Sequence, residues 1–332
     1  WAAPALLVAC RVVQGLALGG QYGGAATYIA EHAPDGKRGL YTSWIQTTAT
    51  LGIVAALLVI MAFRLGMGDE GFAAYGWRFP FMVSALLVIL SAYLRLKLGE
   101  SPLFKALKEQ GKASDNPMRD TFGNARNWKL MALALFGFTA PEGVVWYTAQ
   151  FYALAYMQTV LSIPYITVYS VMIAALVLGA PFFVFWGWLS DRIGRRVIMS
   201  TGFLLAVLTF WPVFSWFGTF KDNPLILTVL VWYLMILVTM VYGPIAAFLI
   251  ELFPARIRYS SMSLPYHIGN GVFGGGVPFI ATLLAGIFTG VPLIGLVYPM
   301  TVAGIGVLVS TLGLKRETHD VQIWDEVEGK SA

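Results

Sequence analysis

Residues 166–196, ITVYSVMIAALVLGAPFFVFWGWLSDRIGRR, stay uncharged from Ile166 to Trp188 and then break into Asp191, Arg192, Arg195 and Arg196. An α-helix rises about 1.5 Å per residue, so roughly 20 apolar residues cross a hydrocarbon core of about 30 Å. The stretch therefore predicts a membrane span that ends in a basic loop. Working outward, the same pattern recurs along the chain, and we expect spans near 3–29, 41–63, 79–98, 129–157, 166–188, 197–217, 225–249, 262–287 and 290–312. An all-α, multi-pass membrane protein follows.

Composition agrees. The chain is 58% hydrophobic and 12% charged, with a mean hydropathy of +0.72, whereas a water-soluble domain carries about 25% charged residues. Tyr75, Trp77, Trp128, Trp216 and Tyr298 fall near predicted span ends, where aromatic belts form at membrane–water interfaces. Cys10 is alone, which excludes an internal disulfide and a thiolate metal cluster. The net charge of +5 does not point to nucleic acid, because the basic residues sit beside the spans. No G-x-x-x-x-G-K-[ST], no H-E-x-x-H and no Cys/His metal spacing occurs, so ATP-driven transport, metal chemistry and a resident cofactor lack support. Nor does any span cluster the His, Asp or Ser that an embedded enzyme would use. No obligate protein partner is evident.

The loops give the orientation. Of 22 Lys and Arg, only Arg64, Arg78 and Lys221 fall in one set of gaps, Arg11 lies within a span, and the rest crowd the alternate gaps. The positive-inside rule then places the C-terminus in the cytoplasm. An odd number of spans leaves the N-terminus outside. The chain opens on Trp1, with no initiator Met and no leader segment, so we expect a longer protein with three further spans upstream.

The longest polar stretch, 99–128, divides the spans three and six. We therefore expect 1–98 to be the end of a first bundle, 99–128 a cytoplasmic central loop, 129–312 a complete six-helix bundle and 313–332 a cytoplasmic tail. Two six-helix halves are a transporter layout. Within the loop, 101–110 (SPLFKALKEQ) reads either as a short surface helix or as a solvated linker. Gly15, Gly19 and Gly23, joined by Gly20 and Gly24, make one face of the first span smooth. Gly269, Gly271, Gly274, Gly275 and Gly276 do the same before Pro278. Such faces allow close helix packing, and they also permit helices to rock.

Charge inside the membrane costs at least about 2.5–3.5 kcal/mol at a helix centre and tends to be functional. Arg11 and Glu142 qualify. A carboxyl group held in low dielectric favours its protonated form, which suits a proton carrier, although a protonated Glu bonded to a neighbouring helix is the alternative. Trp146 and Gln150 follow Glu142 at i+4 and i+8, adding an aromatic wall and an amide. Arg11 cannot lose its proton and needs a carboxylate, a carbonyl, water or an anionic substrate. Gln14 and Tyr22 share its stripe. Gln46 and Thr50, with Ser43, and the i, i+4 pair Tyr266 and Asn270 could face the same cavity. His267 reads as a helix–helix hydrogen bond. Asp191 with Arg192, Arg195 and Arg196, turned by Gly187 and Gly194, could latch two helices in one conformation and release them in another. Topology alone would account for the arginines but not for Asp191. Glu251 with Arg256 and Arg258 suggests a second latch.

GWLSDRIGRR at 187–196 and RVVQG at 11–15 resemble the loop and helix-4 signatures of the major facilitator superfamily. More narrowly, GGQYGGAATYIAEHAP at 19–34, ESPLF at 100–104 and ELFPARIR at 251–258 resemble the metabolite:proton symporter family. The resemblance covers essentially the whole chain and implies helices 4–12 of a twelve-helix fold. It departs at Gln21, where many members carry Glu. It implies a bacterial inner-membrane carrier that takes up a small polar metabolite, an organic acid or zwitterion, together with protons. A proton-driven exporter of the same superfamily is the alternative. It further implies a proton-coupling role for Arg11, opposite an acid on helix 1.

Overall fold

A computed structural model describes residues 2–18, 21–97, 102–111, 116–291 and 293–323, and among these there is no strand. The first expected span is met by α1 (Ala2–Leu18) and α2 (Gln21–His32). Next come α3 (Arg38–Gly71) and α4 (Arg78–Lys97), then α5 (Pro102–Glu109) and α6 (Pro117–Phe122) in the polar stretch. Within the 101–110 segment, residues 102–109 are thus helical. The remaining long helices are α7 (Ala125–Val160), α8 (Tyr165–Ile193), α9 (Arg195–Thr219), α10 (Pro224–Leu252), α11 (Arg258–Ile287) and α12 (Val297–Gly313). Seven of the described helical stretches are long and apolar enough to cross a bilayer, and two shorter apolar helices lie at Ala5–Gly15 and Arg78–Tyr93. The nine expected spans each coincide with helix, though that is a statement of position rather than a count of crossings.

Local chemistry explains the helix ends. Asn223 caps α10 by accepting from the Ile226 amide at 3.2 Å, with Pro224 in the first turn, a position where the missing N–H costs nothing. Gly194 separates α8 from α9 with φ +104°, a backbone conformation that a side chain would strain. Pro181, Pro212 and Pro265 lie inside helices. Beside one of them Thr139 Oγ1 donates to the Pro265 carbonyl at 2.7 Å, which ties α7 to α11.

The core sits among α7 to α12, where Phe183, Phe203, Phe210, Phe214 and Phe248 are fully buried. Glycine controls how two of these helices meet. A Cβ on Gly143 would fall 2.8 Å from the Gly269 carbonyl, and one on Gly274 would fall 2.9 Å from the Gly143 carbonyl. The backbones of α7 and α11 therefore touch, which is the packing that small residues allow in membranes. Of the first-span glycines, Gly23 packs against Ser263 and Tyr259 while Gly15 has no neighbour within 4 Å. Gly19 and Gly20 lie outside the described residues. The helices α1 and α4 expose apolar side chains such as Leu6, Leu86 and Ile89.

Along one long seam α3 packs against α8. At the end of the seam away from Asp191, Arg64 lies over the Tyr165 ring at 3.4 Å and bonds Asp69 at 2.7 Å.

Candidate functional site

Two clusters of polar side chains occupy different depths. The first is at the basic end of the seam. Asp191, at the last turn of α8, accepts from the Gly39 and Leu40 amides at 2.8 Å each. These are first-turn amides of α3, unsatisfied within their own helix and favourable to an anion. Close approach makes the contact possible, since a Cβ on Gly187 would fall 2.6 Å from the Ser43 Cβ. Arg195 pairs with Asp191 at 2.6 Å and grips Glu251 of α10 with Nε at 3.2 Å and Nη2 at 2.9 Å. It also donates to Ser190 at 2.6 Å. Arg38 of α3 approaches the same Glu251 at 3.7 Å. Arg258 bonds Glu31 of α2 at 3.2 Å and the Ile250 carbonyl at 2.9 Å. Arg38, Arg195 and Arg258 are among the largest fully buried side chains of the protein.

The chain after α12 folds back onto this end. Glu317 accepts from the Arg196 amide at 3.1 Å and from its Nε at 3.3 Å. Thr318 donates to Glu251 at 2.9 Å, and Arg38 donates to the Val321 carbonyl.

This corrects one expectation. Glu251 does not latch to Arg256 and Arg258: it joins Arg195 and Arg38, Arg258 reaches across to Glu31, and Arg256 is exposed. The reason is register. The extended Phe253 turns the chain between α10 and α11, so Glu251 and Arg258 point to different neighbours. Arg192 is also outside the network, with its guanidinium over the Trp188 ring at 4.0 Å.

The second cluster lies halfway along the spans. Glu142 is completely buried, and its Oε2 accepts from Asn270 of α11 at 2.8 Å. Its Oε1 has no hydrogen-bond partner among the described residues, and the same holds for Gln46 Oε1, Thr50 Oγ1, Trp146 Nε1 and both amide atoms of Gln150. Buried polar atoms are nearly always paired, so such a group of exceptions requires an explanation. Tyr22, Tyr147, Tyr242 and Tyr266 surround the carboxyl closely enough to interact with its charge. Wide π-helical turns interrupt the helices here, at Leu135–Thr139 and Thr148–Tyr152 in α7 and at Ile268–Gly274 in α11. Such turns are frequent at functional sites; they hold Gln150 and Asn270 and directly precede the turn bearing Glu142.

The structure thus buries Glu142, Gln46, Thr50, Gln150 and Tyr266, with Trp146 and Asn270 half-buried. Gln14 lies on α1 with its side chain exposed. The backbone of Arg11 belongs to α1, but its side chain lies outside the described residues. Sequence reasoning missed Glu31, Arg38, Glu317 and Thr318 at the basic end and Tyr242 at the centre. Glu31 stood inside the quoted YIAEHAP motif and Tyr22 on the Arg11 stripe, so two signals were present but carried no assigned role.

A helical membrane protein with a buried central acid and an ionic cluster at one end is a carrier by class, and comparison with known proteins gives the family. The chain matches the Major Facilitator Superfamily over residues 1–274 and belongs to it; this is a family of transporters, not of enzymes. It is 31% identical over 287 residues to the citrate-proton symporter of Salmonella typhi, covering 85% of this chain and 64% of that protein. It is 33% identical over 288 residues to the alpha-ketoglutarate permease of Escherichia coli, covering 86% and 64%. A putative proline/betaine transporter of Staphylococcus aureus is 28% identical, covering 93% and 65%. The chain spans about 64% of the length of the first two relatives. Two solved structures of the proton:xylose symporter XylE share the fold, at TM-scores of 0.69 and 0.62 with 18% and 22% identity, each covering 92% of this chain and 69% of the other.

Proposed function

We propose that the protein takes up a small polar metabolite, an organic acid or zwitterion, together with protons by alternating access across a bacterial inner membrane. The observation that carries this reading is Glu142, fully buried at mid-span with one oxygen bonded to Asn270 and the other without a partner. The names of the relatives, which include a citrate-proton symporter and a putative proline/betaine transporter, support it. Residues 1–98 and 129–312 act as parts of two bundles joined by 99–128, and the tail from 313 lies in the cytoplasm. In this reading the unpaired atoms of Gln46, Thr50, Trp146 and Gln150, with Tyr266 and Asn270, receive the substrate. Glu142 carries the proton with Arg11 as its basic counterpart.

The ionic end is then the cytoplasmic gate. A buried ion pair that loses one partner leaves an uncompensated charge, so the cluster of Asp191, Arg195, Glu251, Glu31, Arg38 and Arg258 has two stable conditions, fully paired or fully separated and hydrated. Gly187 and Gly194 give it close contact and a turn, and Arg196 fastens the tail through Glu317. Reconstituted full-length protein should accumulate labelled citrate, 2-oxoglutarate, proline or betaine when an inward proton gradient is imposed. Accumulation of none of them, or outward pumping under the same gradient, would reject the proposal.

A further inference from the structure

Between the ionic end and Glu142 lies a layer of tyrosines, of which the proposed function uses only Tyr266. Tyr22 of α2 and Tyr266 of α11 stack face to face, with centroids 3.8 Å apart and planes 1° apart. Gln46 of α3 donates to the Tyr22 hydroxyl. Tyr242 of α10 and Tyr266 share a hydrogen bond of 3.0 Å between their hydroxyls. Four helices meet in this layer, two from the early part of the chain and two from the late part. The approach is tight, for a Cβ on the neighbouring Gly23 would fall 2.7 Å from Ser263 Oγ of α11.

Register sets the depth of the layer. Gln46 and Tyr266 stand equally far from Arg38 and Arg258, where their helices begin, which is about 12 Å of helical rise. Asn270, which holds Glu142, is one turn further in. The stack therefore lies on the cytoplasmic side of the carboxyl and joins the two parts of the chain. Rings that stack across two bodies must separate when the bodies tilt apart.

We propose that the Tyr22–Tyr266 stack is the inner gate of the central site, and that the Tyr22 hydroxyl makes its opening depend on the charge of Glu142. The inference rests on the reading of Glu142 as the proton site. Each hydroxyl has a single proton to donate. Tyr22 accepts from Gln46 and is also hydrogen-bonded to Tyr266, which shares a further hydrogen bond with Tyr242. An ionised Glu142 draws those protons toward itself, and a neutral one releases them to hold the layer together. The titratable groups facing Glu142 are Tyr22 from α2, Tyr147 from α7, Tyr242 from α10 and Tyr266 from α11. His267 stands edge-on to Tyr266 with centroids 5.2 Å apart.

The test uses inverted membrane vesicles holding full-length protein with its cysteines replaced by serine and Thr50→Cys as reporter. A charged, membrane-impermeant methanethiosulfonate then measures access from the cytoplasmic side at pH 6 and pH 8. Rates are divided by those of a freely exposed cysteine in the same protein, which removes the rise in thiolate fraction with pH; so corrected, the parent should label slowly, and faster at pH 8 than at pH 6. Tyr22→Ala should label about tenfold faster at both. Tyr22→Phe, which keeps the stack and loses the hydroxyl, should stay slow and lose the pH difference. A Ser310→Cys reporter, buried against Ser200, reports folding and must stay protected in every variant. If Tyr22→Ala fails that control, Tyr22→Phe alone decides. No acceleration in a folded Tyr22→Ala, or a pH difference kept in Tyr22→Phe, overturns the proposal. Glu142→Gln separates the two readings. If it keeps the pH difference, the proton site is misassigned; if it loses the difference while Tyr22→Phe keeps it, only the gate is.

Discussion

The two polar regions of this protein are built on opposite rules. At the ionic end, Arg195 alone makes bonds to Asp191, Glu251 and Ser190, and the Asp191 carboxylate is held by two backbone amides besides. At the centre, among the described residues, Gln150 is buried with neither amide atom bonded and Glu142 uses only one oxygen. Saturated charge makes a rigid contact that holds one conformation. Unsaturated polarity is costly in the protein alone, and a ligand with matching groups relieves that cost. Arg38 Nε apart, the contrast teaches that burial by itself does not separate the proposed gate from the proposed binding site, whereas the degree of hydrogen-bond saturation does.

The largest effect expected from breaking this contrast is at Arg195. Arg195→Ala leaves Asp191 and Glu251 buried with their main partner gone, a loss of about 3–5 kcal/mol for the closed condition of this end, the proposed cytoplasmic gate. That is a shift of two orders of magnitude or more in the equilibrium toward the open side. Thiol labelling of a Thr50→Cys reporter from the cytoplasmic side would show it as a comparable rise in rate. Ionic strength should change the parent little, because a pair this buried is poorly screened. Labelling as slow as in the parent would mean that the cluster fixes topology and nothing more.

Next in size is Glu142→Gln, which keeps the shape and the Asn270 contact but removes the carboxyl proposed to carry the proton. A pH difference of one unit supplies about 1.4 kcal/mol per proton, hence up to about tenfold accumulation for one coupled proton. The variant should equilibrate its solute without concentrating it, while still exchanging it across the membrane. Steady-state uptake in vesicles measures both. Concentration as steep as in the parent would remove Glu142 from the mechanism.

How far the sequence could go follows the same division. The spans were legible because lipid demands long apolar runs, and the central residues were legible because a polar group in such a run stands out, as Glu142, Gln46 and Gln150 do. The basic end was harder. Glu31 and Arg38 flank a short gap between predicted spans, where charge is ordinary, and nothing in their spacing reveals that Arg38 meets Glu251 or that Glu31 meets Arg258. Those partners are brought together by the packing of α2 and α3 against the late helices, which no local pattern encodes. The Glu251–Arg258 expectation failed for that reason, since proximity in sequence was taken for proximity in space. The fold-back of Thr318 and Glu317 was equally hidden, a polar tail being the usual sign of a solvated one.

A smaller effect sharpens the role of that tail. Thr318→Val removes one hydrogen bond to Glu251, which Arg195 still holds from the other side. Closure should weaken by about 1 kcal/mol, a several-fold rise in cytoplasmic labelling that falls well short of Arg195→Ala. An effect equal to that of Arg195→Ala would make the tail, rather than the arginine, the main tie.

The smallest effect is the most pointed, because its sign differs between the two regions. Gln150→Leu removes a buried amide whose atoms have no partners, so the folded protein should lose nothing and gain up to about 1 kcal/mol. The same kind of change at the ionic end strands a partner and destabilises. Thermal unfolding of the purified variant should therefore occur at or slightly above the parent temperature, while its affinity for the transported solute falls several-fold. A lowered unfolding temperature would show that Gln150 is bonded in the folded protein after all. The distinction between a saturated gate and an unsaturated site would then fail at the residue where it is clearest.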